Sequence, residues 1–381
     1  MMKVAAIALL MFGSLAAMGQ NTIGLPDIIN YSKQTIRAGA QNRQIKQDKR
    51  GVMYFANNEG VLTFDGINWK IYPLPNHSIV RSIEFGPDNK LYVGGQDEFG
   101  YFSPNKNGQL EYTSLKPMLP AGERSFTDVW EIVFYRDWTF FQTSEAIYQL
   151  SDGHSTVYRS VHWRFLSMYN NRLIAQDYEK GLLTFENGVW TPFLKESDLP
   201  NDYYASSVMP IGKDSALLTT VKNGMYLLTA NKAVRFKTPG VENFDARNIS
   251  SVAMVNDNHI AVATNLDGCF IFDKQGNLVQ SFTRKEGLQN NNILDIFVDR
   301  EKNLWLGLDN GIDFIAYNNA IRHIYPDYLN EGSGYTAAIH NNQLYIGTSF
   351  GLYKVPLYDV PDLSYVKGVF EPVQQSRGQV W

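Results

Sequence analysis

The chain has 381 residues, of which 44% are hydrophobic, 13% aromatic and 19% charged. That content excludes a disordered chain, and the length fits two or three average domains or one large β assembly. Lys plus Arg number 34 against 38 Asp plus Glu, a net charge of −4 that excludes a global basic field for nucleic acid or anionic lipid. One cysteine permits no internal disulfide.

Residues 1–19 read as a cleaved signal peptide. Met1-Met2-Lys3 precedes an apolar run from Val4 to Ala17, and Ala17-Met18-Gly19 makes a small-x-small site before Gln20. The run is shorter than the roughly 20 apolar residues a membrane span needs. No other stretch is long and apolar enough, so an exported chain is expected. Residues 20–44 form a lead segment ahead of the first repeat, and the repeats run from 45 to 381.

The repeat is clearest near the C-terminal end. Ile293 to Asp299 reads as a strand, Leu304 to Leu308 as a second, and Gly311 to Ile315 as a third, with polar or glycine turns between them. Aligned with its other copies, it places second-strand markers at Tyr54, Tyr92, Phe140, Ile174, Leu217, Ile260, Trp305 and Tyr345. Their spacing averages about 42 residues, the period of a four-stranded propeller blade. Asp65-Gly66, Asn107-Gly108, Asp152-Gly153 and Asn187-Gly188 recur where the third strand should turn into the fourth. A β-helix has shorter repeats and a sandwich has no sequence period, so the expectation is an all-β propeller of seven or eight blades. The count leaves open one eight-bladed ring or seven blades and the start of another. Gly378-Gln379-Val380-Trp381 reads as the opening of a further unit, much as Asp128-Val129-Trp130-Glu131 opens the third. The chain is therefore expected to be the front part of a longer protein, with the lead segment available to complete a last blade.

Gly287-Leu-Gln-Asn-Asn-Asn-Ile293, Asp299, Asn303-Leu-Trp-Leu-Gly307 and Asn310-Gly311-Ile312 together resemble the two-component regulator propeller repeat. The opening Pro26-Asp27-Ile-Ile-Asn-Tyr31-Ser32-Lys33 and Arg50 to Asn58 resemble one branch of that family in Bacteroidetes. In that branch periplasmic propellers lead into a triple-tyrosine domain, a membrane helix and a cytoplasmic LuxR-type helix-turn-helix. The resemblance implies a periplasmic sensor region, anchored at the inner membrane through parts downstream of this chain. It implies no nucleic-acid contact by this segment and admits a homodimer of the full-length protein.

The six histidines show no metal-ligand spacing, and neither a cysteine cluster nor a phosphate-cradling glycine loop with a following helix is present. No metal and no cofactor are expected. Cys269 reads as a small core residue. In a propeller, the turns entering each innermost strand and leaving each second strand open on one face around the channel. That face collects Arg81, Trp130, Trp163, Arg164, Tyr204, Asn292 and Tyr335 from the entering turns. Asp97, Glu98, Tyr178, Asn265 and Asp309 come from the others. Aromatic rings that stack on sugar faces, with polar groups for the hydroxyls, suit a glycan fragment or other small molecule. A non-catalytic, ligand-sensing module is the first reading. A propeller lyase or glycosidase and a protein-binding scaffold are the alternatives, since one fold hosts many activities.

Overall fold

The computed structural model describes residues 22–151, 153–239, 241, 243–326, 332–358 and 365–381. The signal-peptide segment, and Asp152 of one expected hairpin, lie outside these. The described chain is all-β apart from one four-residue helix, Lys33–Ile36, and short 3-10 turns. Eight sheets follow one another along the chain, their repeat strands antiparallel with the first innermost; the fifth adds a short parallel strand, Glu196–Ser197.

Seven of the sheets close into a ring. The inner strands begin at Asn42, Val80, Glu131, Trp163, Ala205, Ile249 and Ile293, and each lies beside those of its two neighbours. The inner strand of blade 7, Ile293–Val298, meets that of blade 1, Asn42–Gln47. Seven hydrophobic clusters follow, one between each pair of adjacent blades. The alternating strand pattern thus buries one face of each sheet on the blade before it and the other on the blade after.

Closure comes from the lead segment. Ile28–Tyr31 pairs antiparallel with Gly311–Ile315 and supplies the outermost strand of blade 7, so the first and last blades are tied by one chain segment. The partner of the lead segment is therefore the seventh unit. Tyr31 enters an aromatic cluster with Phe64, Trp69 and Trp305, its ring 5.9 Å from Trp305 and nearly parallel to it. Asn30 Nδ2 donates to Asp313 Oδ1 at 2.7 Å, and Asp313 also accepts from the backbone and side chain of Gln289. Gly307 explains one fixed feature of the repeat: a Cβ there would lie 2.4 Å from the Asn42 carbonyl oxygen of blade 1. Blade 7 could not approach blade 1 with any other residue.

The repeat's acid has a local task. Asp299 accepts from the Asn303 backbone N–H at 2.8 Å and from Trp305 Nε1 at 3.1 Å, fixing the turn and the core indole together. Asp48 does the same for the Val52 N–H and Tyr54, and Asp88 for the Lys90 N–H and Tyr92. These acids are structural. Cys269 is fully buried between blades 6 and 7, as a core residue should be.

The eighth sheet stands outside the ring. Its strands are Gly334–His340, Gln343–Thr348, Gly351–Pro356 and Glu371–Arg377, and its inner strand is exposed along most of its length. It touches the ring through backbone pairing of residues 22–25 with Val366, Lys367 and His323. His259 adds ring contacts to Tyr317 and Tyr365.

Candidate functional site

A recurring backbone irregularity builds the channel mouth. The first two strands slip register near the start of the inner strand in blades 1, 2, 4, 5, 6 and 7. A bulge of this kind leaves one residue unpaired and re-aims its side chain. The residues so released are Arg43 with Gln44, then Arg81, Arg164, Ser206, Ser250 and Leu294. Blade 3 keeps regular register, and Trp130 occupies the same place just ahead of its inner strand, its N–H bonded to the Gln142 carbonyl at 2.8 Å. All of these side chains line one cavity of about 410 Å³ in the channel, together with Tyr204 and Asn265. That volume falls in the range of small-molecule sites.

The mouth is asymmetric. Blades 1 to 4 contribute Arg43, Arg81, Trp130 and Arg164, whereas blades 5 to 7 contribute Ser206, Ser250 and Leu294 at the same position. Arg43 and Arg81 lie over the Trp130 ring at 4.8 and 5.3 Å from its centroid. Arg164 lies over Tyr178 at 4.3 Å and Tyr204 at 5.0 Å, and its Nη1 donates to the Tyr203 carbonyl. Burial, then the neighbouring Arg81 charge, lowers the pKa of Arg43, against the pull of Glu131 and Asp128. Burial raises the Tyr204 hydroxyl, opposed by the charges of Arg164 and Arg43.

Deeper in the channel the inner strands present acids and one lysine. Lys46 Nζ lies 2.5 Å from Glu84 Oε2, each side chain about a third accessible (30% and 33%) although protein surrounds them. Glu131 accepts from Gln44 Nε2 at 3.0 Å, and burial pushes its carboxyl up to about 7. Asp295 accepts from the Ile45 N–H and Ser251 Oγ, and burial pushes it up to about 6. No group of three or more His, Cys, Asp and Glu side chains fit to hold a metal ion occurs among the described residues.

Of the twelve residues expected on the ligand face, Arg81, Trp130, Arg164, Tyr204 and Asn265 line this cavity. Tyr178 sits at its edge beneath Arg164. The others have different tasks. Trp163 is a correction: it is 3% exposed, packed against Trp190, with its Nε1 spent on the Tyr158 carbonyl, because the residue before the bulge points into the blade. Tyr335 is another, since it belongs to the eighth sheet and its ring stacks on Trp381. Asp97 pairs with Lys116 and accepts from the Phe126 N–H, holding the long loop between blades 2 and 3. Glu98 accepts from Ser114 Oγ, Tyr112 Oη and its neighbour's N–H inside blade 2. The Asp309 carboxylate accepts from Gln41 Nε2 at the seam between blades 7 and 1, and the Asn292 carbonyl accepts from the Asp309 N–H.

Arg43, Lys46, Glu84, Glu131 and Asp295 escaped the sequence reading. A signal for Arg43 exists: Arg43-x-Ile45, Arg81-x-Ile83 and Arg164-x-Leu166 share one spacing at the start of three inner strands. Setting the first repeat at 45 rather than 42 hid it.

Residues 287–310 match the family model described as two component regulator propeller. That match covers one repeat, in the seventh blade. The chain is similar in fold to the extracellular domain of BT4673 from B. thetaiotaomicron, described in one crystal structure as a one component system and in another as a hybrid two component system. The two alignments have TM-scores of 0.61 at 16% and 18% identity and cover 92% and 87% of this chain. The chain spans about half the length of those domains, 48% and 46%. It is also similar in fold to virginiamycin B lyase from Staphylococcus aureus, with a TM-score of 0.53 at 14% identity, covering 76% of this chain and 97% of the lyase. No curated protein matches the sequence. No helix among the described residues is long and apolar enough to cross a membrane.

Proposed function

We propose that this propeller is the exported, periplasmic sensing module of a membrane-anchored signalling or transcription-regulatory protein. On this reading it binds a glycan fragment or other small molecule at the channel mouth and passes the signal to parts of the full-length protein outside this chain. The observation that carries it is the mouth itself. A closed ring holds a polar cavity of about 410 Å³ under a rim of arginine and aromatic side chains, several of them with buried polar atoms lacking a partner. Desolvated, unpaired polar groups destabilise the empty site and favour whatever pairs with them. The resemblance to the regulator family and the fold likeness to extracellular sensor domains support the same reading.

A lyase is the second reading. The fold likeness to a propeller lyase favours it, as does a carboxyl, Glu131, poised near neutral pH inside the cavity. One experiment separates the two. Thermal-shift measurements against an oligosaccharide library should find ligands that raise the Tm, because binding only the native state adds stability. Mass spectrometry of each such ligand after prolonged incubation should then show it unchanged. Cleaved or unsaturated products would replace the sensing reading with the lyase one. A library that leaves the Tm unmoved throughout would remove support for ligand sensing and favour a protein-binding scaffold.

A further inference from the structure

The aromatic rings at the mouth are engaged by arginines. Trp130 carries two guanidiniums, and Tyr178 and Tyr204 each carry Arg164 while staying partly exposed, so the rings hold the arginines in place. What the mouth chiefly offers a ligand is positive charge, fixed in position by three of four consecutive blades.

That charge is only partly neutralised from within. Among the described residues no carboxylate pairs with Arg43 or Arg164, and the buried Nε of each lacks a hydrogen-bond partner. Arg81 Nε lies 3.4 Å from Asp128 Oδ2 without forming a hydrogen bond, and Asp128 Oδ1 is likewise unsatisfied. Three guanidiniums thus share one ion-pairing carboxylate, Asp128, with Glu131 also acting on Arg43 through space. Other arginines of the same ring are paired with acids, Arg235 with Asp245 and Arg247 with Asp267. The channel acids below do not cancel the crescent. Glu84 is engaged with Lys46, while Glu131 and Asp295 accept hydrogen bonds within the channel wall.

Arginines held close together against their mutual repulsion, in a partly desolvated cavity, make a site for an oxyanion, which accepts paired N–H bonds from a guanidinium. Ser250 Oγ donates to the Ile293 carbonyl, which keeps its lone pairs for a ligand hydroxyl on the neutral side. We propose that the mouth binds an acidic sugar, its carboxylate or sulfate oxyanion held by Arg43 and Arg164 with Arg81 as the third positive charge. The inference rests on the sensing reading and names the ligand class that reading leaves open.

Calorimetric titration tests it with four probes: an unsulfated uronate-containing disaccharide, its carboxyl methyl ester, a sulfated disaccharide, and neutral cellobiose. The acidic probes should bind and the ester and cellobiose should not, with affinity falling as salt rises. Binding of the uronate alone or of the sulfated sugar alone identifies which oxyanion is read; either result supports the site. Arg43→Gln and Arg164→Gln should each weaken binding about 10- to 100-fold, the loss of one charge-assisted hydrogen-bonding group. Arg43→Lys keeps the charge and should lose less, which separates a site effect from a folding defect, as does an unchanged Tm. The inference is overturned if neutral sugars bind as well as acidic ones, or if no acidic probe binds. It is also overturned if folded Gln variants bind unchanged. Neutral binding indifferent to the arginines would leave the sensing reading standing.

Discussion

The seven-bladed ring and the eighth sheet are built from the same repeat, yet only the ring's blades are covered on both faces. Both have four antiparallel strands, the same register slip near the start of the inner strand and the same glycine in the second strand. In the ring every blade is covered on both faces, and fourteen residues of the cluster between blades 6 and 7 alone are buried. The eighth sheet's inner strand is exposed at six of its seven positions, the last five in succession, with Ile339 at 65%. The difference teaches that a blade's stability is not a property of its sequence. It is supplied by neighbours, as in any repeat architecture where each unit buries its faces only against the next.

The largest test of this comparison removes what closes the ring. Deleting residues 22–31 takes away the outer strand of blade 7 and leaves Gly311–Ile315 as an open edge. The Tm of the chain should fall by more than about 10 °C, since a seam between two blades is lost along with the strand. Tyr31→Ala is the gentler form. It removes a ring that touches Phe64, Trp69 and Trp305, and should cost about 2–4 kcal/mol in denaturant unfolding. A ring that melts unchanged without its closing strand would mean that the seven inner strands hold themselves together.

A smaller effect comes from acids that only the closed ring buries. Burial pushes Glu131 up to about 7, and Asp295 and Asp313 up to about 6. Their folded pKa values exceed the unfolded ones, so the folded state binds more protons between about pH 4 and 7, and stability falls as pH rises through that window. His259 opposes this, because burial lowers its pKa and charging it on acidification disfavours the fold. The depressed carboxylates Asp48, Asp88 and Asp177 act only below about pH 4, where they lose their charge. Three acids against one histidine should make the Tm a few degrees higher at pH 5.5 than at pH 8. Glu131→Gln should flatten that slope. A Tm that rises toward pH 8 would contradict it.

How much of this was legible follows from what each feature depends on. The blade period and the hairpins are local, and Asp-Gly and Asn-Gly turns with alternating strands declare them. Cys269 as a core residue is local too, since it follows a repeat glycine in an apolar strand. The closing of the ring at seven is not local. It depends on Ile28–Tyr31 pairing with a strand some 280 residues away, and no turn or spacing encodes that partner. The site fails for a third reason. Trp163 and Arg164 are adjacent, but a bulge sends one into the core and the other to the channel, and a one-residue slip reverses such assignments. Tyr335 was grouped with Trp130 because both open a unit; their units belong to different bodies.

The smallest effect concerns the end of the eighth sheet, where the two regions can be compared atom by atom. In the ring, the Val129 N–H bonds to the Gly95 carbonyl at 3.0 Å and Trp130 receives Arg81 over its ring. At the eighth sheet, the Val380 N–H bonds to the Thr348 carbonyl at 3.1 Å, and Trp381 stacks on Tyr335 with centroids 4.1 Å apart. Thr348 follows Gly347 as Gly95 follows Gly94, and a Cβ at Gly347 would lie 2.5 Å from the Val380 carbonyl oxygen. Gln379 to Trp381 thus docks on the eighth sheet as the opening of blade 3 docks on blade 2, with Trp381 77% exposed. Trp381→Ala should remove an aromatic pair worth about 0.5–1.5 kcal/mol, and only locally. Amide exchange in Gly334–His340 and Gln343–Thr348 should quicken by up to about tenfold, while exchange in the ring's inner strands and the main Tm stay where they were. If the ring's amides quicken as well, the eighth sheet is coupled to the ring through the pairing at residues 22–25 more tightly than its exposed faces indicate, and the two regions unfold as one.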